Sequence, residues 1–220
     1  MASGSFHQYS PAHFDSLPSV EMAEARFNEL GGLGKVAASL ARVAQEHPAS
    51  QHIGIQLLHR HCDLDEDEIM LAYGDATIPV KHAKLSAVSR GKVYATSWGL
   101  RSGSSEFVPL EFAFVEDDRE LPGLDAELAE NIARVLRALG LEQVLGLALV
   151  ENPRSHGVEI THGRANVVMP GNLFAQHPKA FEVLWYLPTL GQPVQAGRNC
   201  LRSCLSNEYG MHQRTHKKLR

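Results

Sequence analysis

Cysteine is scarce: three residues in a chain of 220, and an odd count. Three thiols cannot build a disulfide framework, so free thiols or metal ligands in a reducing compartment are expected. Long hydrophobic runs are also missing. The longest extend to about eight residues, whereas a membrane-spanning helix needs roughly 18–20. The start of the chain lacks the basic-then-apolar layout of a signal peptide, and together these features lead to the expectation of a soluble, cytoplasmic protein. A broad basic excess is absent as well, since the formal net charge is -4; this excludes a general nucleic-acid binder. A small molecule or another protein remains as the class of partner, with no membrane.

Familiar catalytic signatures are lacking too. No Gly-x-Ser-x-Gly elbow, complete Gly-x-Gly-x-x-Gly loop or His-Glu-x-x-His helix occurs, which removes the easily named hydrolase, dinucleotide-binding and zincin readings. Gly31-Gly32-Leu33-Gly34-Lys35 is not a phosphate loop. Glu29 stands where that loop needs glycine, Val36 where it needs Ser or Thr, and the lead-in reads as helix.

What is present is a 44% hydrophobic fraction, ordinary for a globular protein with a sizeable core. The organising stretch is Ile53 to Cys62, an apolar run ending in two histidines two positions apart. On a strand, Ile53, Ile55, Leu57, His59 and His61 share one face. Helices are expected from Ser19 up to the Gly31-Gly32 pair and from Leu33 to before Pro48. A third should run from an Asp125 cap through Leu128, Ile132, Val135, Leu136 and Leu139 to Gly140. Strands are expected near 69–73, 92–99, 107–115, 144–150 and 181–187, with a hairpin turning at His162-Gly163-Arg164. The layout predicts a single α+β domain, residues 19–197, in which an antiparallel or mixed sheet carries N-terminal helices and one central helix. Residues 1–18 read as a flexible segment. Residues 198–220 read as a basic tail, with Arg198, Arg202, Arg214, Lys217, Lys218 and Arg220 against the single acid Glu208.

Two constellations can carry chemistry. Imidazole is the commonest metal ligand, and a same-face pair delivers two nitrogens to one point. His59 and His61 are therefore candidate metal ligands or catalytic groups, with Glu68, His82, Glu111 or His162 to supply a third ligand. Glu68 is singled out as a catalytic partner because a hairpin would bring it opposite the histidines; the bland alternative is two half-buried histidines bonded to acidic neighbours. The second constellation is Cys200-x3-Cys204-x7-His212-x3-His216, whose ligand types suit zinc or another divalent metal although the x7 connection is too short for the usual finger. Its alternative is a mobile basic extension. Cys62 is adjacent to His61, but neighbours on a strand point to opposite sides, which argues against an activated nucleophile.

The Gly54 to His61 pattern, with Leu57-Leu58-His59-Arg60-His61 at its heart, resembles a motif in a group of uncharacterised fungal proteins. The resemblance covers about ten residues and the surrounding layout, and it implies no activity. Two classes of function follow from the residues. One is a metal-assisted small-molecule enzyme or ligand-binding protein using His59 and His61. The other is a noncatalytic interaction protein with a zinc-ordered or partner-ordered tail.

Overall fold

The computed structural model describes residues 8–86, 92–116, 121–150, 156–173, 180–187 and 200–205. Its helices are α1 (Pro11–Asp15), α2 (Val20–Glu29), α3 (Gly32–Glu46) and α4 (Ala126–Ala138). Its strands are β1 (Ile53–Leu57), β2 (Glu68–Tyr73), β3 (Ala76–Lys81), β4 (Val93–Leu100), β5 (Phe107–Phe114), β6 (Leu145–Leu149), β7 (Gly157–His162), β8 (Ala165–Pro170), β9 (Ala180–Tyr186) and β10 (Cys200–Leu205). No helix among the described residues is long and apolar enough to cross a membrane.

The strands close into one barrel in the order β1-β6-β4-β5-β2-β3-β8-β7-β10-β9. This overturns the α+β expectation of a sheet backed by helices. Most neighbours are antiparallel, but β2 pairs with β5, and β7 with β10, in parallel. Closure satisfies the backbone groups that an open sheet would leave along its edges. Two strands that the sequence pattern did not reveal complete the ring: β3 joins β2 to β8, and β10 joins β7 to β9.

The helices cover one wall of this barrel. Ile53, Ile55 and Leu57 alternate out of β1 and share a core with Leu145 and Leu147 of β6 and Trp185 of β9. Onto that face pack Val20, Ala23 and Phe27 of α2, Val36, Leu40 and Val43 of α3, and Leu128, Ile132, Ala133 and Leu136 of α4. The apolar stripe of α4 has the 3.6-residue period that such packing requires. The helix starts where Asp125 Oδ1 accepts the Leu128 amide at 2.8 Å, and it ends at Gly140 with φ +69°. Asp125→Ala is expected to lower stability by about 1 kcal/mol, measurable as an earlier midpoint in urea unfolding.

The opposite face of β1 looks into the barrel, where Gln56 accepts a hydrogen bond from Ser97 Oγ of β4 at 3.0 Å. A second core stands under the chain that follows β1. Phe14 and Leu17 pack there with Leu58, Leu64, Met70 and Leu110. The segment from Pro11, assigned by composition to a flexible N-terminus, is thus folded as α1 with Phe14 fully buried. Residues 200–205, assigned to the tail, are a barrel strand.

Candidate metal centre on the barrel wall

Strand β1 stops at Leu57, short of the histidines. The chain beyond it is nevertheless pinned: the Leu58 amide donates to Val144 O at 2.8 Å, and the Arg60 amide to Pro18 O at 3.0 Å. Arg60 Nη1 also donates to Asp15 O at 2.6 Å and pairs with Asp63 at 2.8 Å. Both histidines are buried, and their rings meet edge to face with centroids 4.8 Å apart.

Each imidazole is oriented through Nδ1. His59 Nδ1 lies 2.8 Å from Leu57 O, and because a carbonyl only accepts, Nδ1 carries the proton. His61 Nδ1 lies 3.1 Å from Thr161 Oγ1, whose hydroxyl donates in turn to Asn166 Oδ1 at 3.2 Å. This leaves both Nε2 atoms turned towards one oxygen, Glu159 Oε2 on β7, at 3.8 Å from His59 and 3.6 Å from His61. Cys204 completes the group from β10, where it is the registered partner of Glu159. The donor atoms of His59, His61, Glu159 and Cys204 all lie within 4.8 Å of one another, and all four residues are buried.

These spacings are long for hydrogen bonds and short for unrelated side chains. Two donors held about 2.0–2.3 Å from a common tetrahedral ion stand about 3.3–3.6 Å apart, close to the imidazole-carboxylate distances seen here. Among the described residues no donor comes within hydrogen-bonding distance of the buried Glu159 Oε2, the two imidazoles stopping at 3.6 and 3.8 Å. Fixing a histidine by one ring nitrogen, through a backbone carbonyl or a hydroxyl, so that the other is presented, is also the usual support of a ligating imidazole. One contact competes: Asn166 Nδ2 reaches His61 Nε2 at 3.3 Å and has to yield that nitrogen to an ion.

Without an ion, the cluster behaves as a buried ion pair. Burial works against the Glu159 charge, but the His59 and His61 rings and the Arg202 guanidinium outweigh it, holding the carboxyl down at about 2. Burial likewise opposes a charge on His59, and the neighbouring Glu159 overcomes it, so that its pKa is raised. Burial, with Glu159 beside it, pushes the Cys204 thiol well above the ordinary range. A bound divalent ion reverses this last effect, since it takes the thiolate and releases the proton.

Glu159 also faces the barrel lumen. Its Oε1 accepts from Arg202 Nη1 of β10 at 3.3 Å, and both residues line an interior cavity of about 750 Å³ to which every strand contributes. Glu111 of β5 lines it too. Desolvation and the negative charge of Glu159 push its carboxyl up to about 7.

The residues singled out by spacing are thus divided. His59 and His61 come together, and Cys204, assigned to a separate tail site, joins them. Glu68 does not: it pairs with Arg164 and accepts the Asp65 amide at 2.9 Å, a structural clasp on the loop between β1 and β2. His82 is held at Asp67 O, His162 is exposed in the β7–β8 turn, and neither is in the cluster. Cys62 lies near Met70 and Arg164 O rather than at the histidines, and burial pushes its thiol up to about 11. In the tail zinc set both cysteines are buried in a strand, and Cys204 lies in the histidine cluster instead. Cys200 Sγ is bonded to Arg202 O at 3.1 Å, while His212 and His216 lie outside the described residues.

Glu159 was not found from the sequence, and Arg202 was read only as part of the basic tail. A signal for the first existed: an acid alone among the alternating residues of Gly157-Val158-Glu159-Ile160-Thr161 must either face solvent or be paired inside. No family model, curated protein or solved structure matches the chain. The comparisons therefore lend no support to the resemblance at Leu57 to His61.

Proposed function

We propose that this protein is a metal-anchored, small-molecule-binding β-barrel. A divalent transition ion of the zinc class is held by His59 Nε2, His61 Nε2, Glu159 Oε2 and Cys204 Sγ, and the barrel cavity takes the ligand. The carrying observation is the convergence of four buried donors from three separate parts of the chain, with both imidazoles oriented through Nδ1. Two imidazoles, one thiolate and one carboxylate suit zinc better than magnesium or calcium, which prefer all-oxygen shells.

Four protein donors fill a tetrahedral shell and leave no position for water or substrate, which is the pattern of a structural site rather than a catalytic one. That favours a binding protein over a metal-assisted enzyme. The ion would tie the segment after β1 to β7 and β10, strands three and two places from β1 around the ring by way of β9.

All four donors are buried, so the test loads metal during refolding. Protein refolded with excess zinc or cobalt and then dialysed is expected to retain about one ion per chain by elemental analysis. The cobalt form should show a thiolate charge-transfer band, lost in Cys204→Ser and kept in Cys200→Ser. His59→Ala with His61→Ala should abolish retention. An ion that binds only the folded state at a hundredfold excess over its Kd adds about 2.7 kcal/mol, so a chelator should lower the unfolding midpoint of the native protein and not that of the double variant. Failure to retain any ion, or full retention by the double variant, sinks the metal reading.

A further inference from the structure

The cavity has a chemistry of its own. Among the described lining residues the acids are Glu111, Glu159 and Asp75; the basic side chains are Arg202, already spent on Glu159, and His156, which is hydrogen-bonded with Ser203 Oγ at 3.1 Å, and none is a lysine. If an ion takes up the charges of Glu159 and Cys204, Glu111 and Asp75 still outnumber Arg202, so the lining formed by the described residues is net anionic in either state.

Glu111 is the distinctive group. It sits mid-strand in Phe107-Val108-Pro109-Leu110-Glu111-Phe112-Ala113-Phe114, opposite Met70 on one side and Ser97 on the other. No hydrogen bond or ion pair joins its carboxyl to a described residue, although the His59 ring and the Arg202 guanidinium lie near enough to act on its charge. A half-buried charged group turned into the cavity and left without such a partner costs folding stability unless a ligand or solvent meets it. Facing it, β4 carries register irregularities on both sides of Ser97, and Thr96 and Ser97 both line the cavity. Bulges of this kind re-aim side chains and concentrate beside binding sites. Another part of the wall is apolar, built from Ala148, Val150, Leu184 and Leu201.

We infer that the lumen binds a small organic cation, an amine whose ammonium meets the Glu111 carboxylate while its hydrocarbon part lies against Ala148, Val150, Leu184 and Leu201. An anion would meet repulsion from the acidic lining. A neutral molecule would leave Glu111 unmatched. The inference rests on the ligand-binding reading of the barrel and not on the metal, so metal retention and amine binding fail or succeed separately.

The probe is n-butylammonium chloride, titrated calorimetrically into zinc-loaded and chelator-treated protein at pH 8, with sodium butyrate and 1-butanol as charge controls. Butylammonium is expected to give saturable binding at least tenfold tighter than either control. Glu111→Gln should weaken it at least tenfold and Glu111→Asp less. Ala113→Leu narrows the same chamber without removing a charge and should weaken it at least fivefold. Butyrate binding as tightly as butylammonium, no saturable binding of the amine, or full affinity in a folded Glu111→Gln or Ala113→Leu variant would each overturn the proposal.

Discussion

Gly146→Ala is expected to destabilise the protein by about 3 kcal/mol, the upper end of what overpacking usually costs. On a bare strand the same change would be mildly favourable, because alanine loses less backbone freedom on folding than glycine. Here Gly146 stands in β6 between β1, where it faces Gln56, and β4. A Cβ at this position would fall on the Trp98 carbonyl oxygen and 2.5 Å from Leu58 Cδ2. Neither neighbour can retreat cheaply. The carbonyl belongs to the adjoining strand, and Leu58 is buried beneath α1 and immediately precedes His59. The damage should therefore reach the histidines, and the variant should retain less metal as well as unfold earlier in urea. Gly34 supplies the contrast: it lies in α3 with nothing within 4 Å of the point where an alanine methyl would stand, and Gly34→Ala should add about 0.5–1 kcal/mol. Equal effects at the two sites would show that the β4–β6 seam is looser than its geometry implies.

The sequence made the individual elements easier to read than their closure. Ile53-Gly54-Ile55-Gln56-Leu57 and the α4 stripe declare themselves because each buries one face, and burial imposes a period. The two strands that escaped notice lack such a signal. In β3, Pro79 sits opposite Met70, and a proline within an apolar run argues against a strand in the middle of a sheet. In β10, Cys-Leu-Arg-Ser-Cys-Leu is bulged, with register shifts at Arg202 and Ser203, so its alternation is broken where the periodic argument needs it. These two strands turn an open sheet into a ring, which is why correct local expectations led to the wrong architecture. The candidate site divides the same way. His59 and His61 are neighbours in sequence and could be paired by spacing alone. Glu159 and Cys204 reach them only through pairings, β7 with β10 and the closure of the ring, that no local pattern encodes.

In chelator-treated protein, Glu111→Gln is expected to be about as stable as the native chain at pH 5 and about 2 kcal/mol more stable at pH 8.5. Burial and the charge of Glu159 push the Glu111 carboxyl from an ordinary 4.5 up to about 7. Between those values the folded protein holds a proton that the unfolded chain has released, so stability falls as pH rises through that window and is fully lost above it. Each pH unit of such a difference is worth about 1.36 kcal/mol, which sets a ceiling of about 3 kcal/mol; partial solvent access through the lumen screens the charge and reduces this to about 2 kcal/mol. Glutamine cannot ionise and avoids the loss. Glu159 does not confuse the comparison, because a carboxyl held near 2 has completed its own stabilising contribution by pH 5. His59 contributes in the opposite sense: its pKa is raised, so its stabilisation is present below about 6.5 and lost as pH rises through the folded value. Both proteins carry that group, and the Glu111 charge is the smallest of the influences that raise it, after Glu159 and the Leu57 carbonyl, so most of its contribution cancels in the difference. Urea unfolding at the two pH values measures the effect, and a variant equally displaced at both, or weaker at pH 8.5, would show that Glu111 is not the strained group in the chamber. If that result is obtained, the acid lowers stability and is replaceable by its own isostere, and so has no structural reason to be charged. Its presence is accounted for by the cation it can receive, which makes stability without ligand and affinity with ligand two opposed readouts of the same carboxylate.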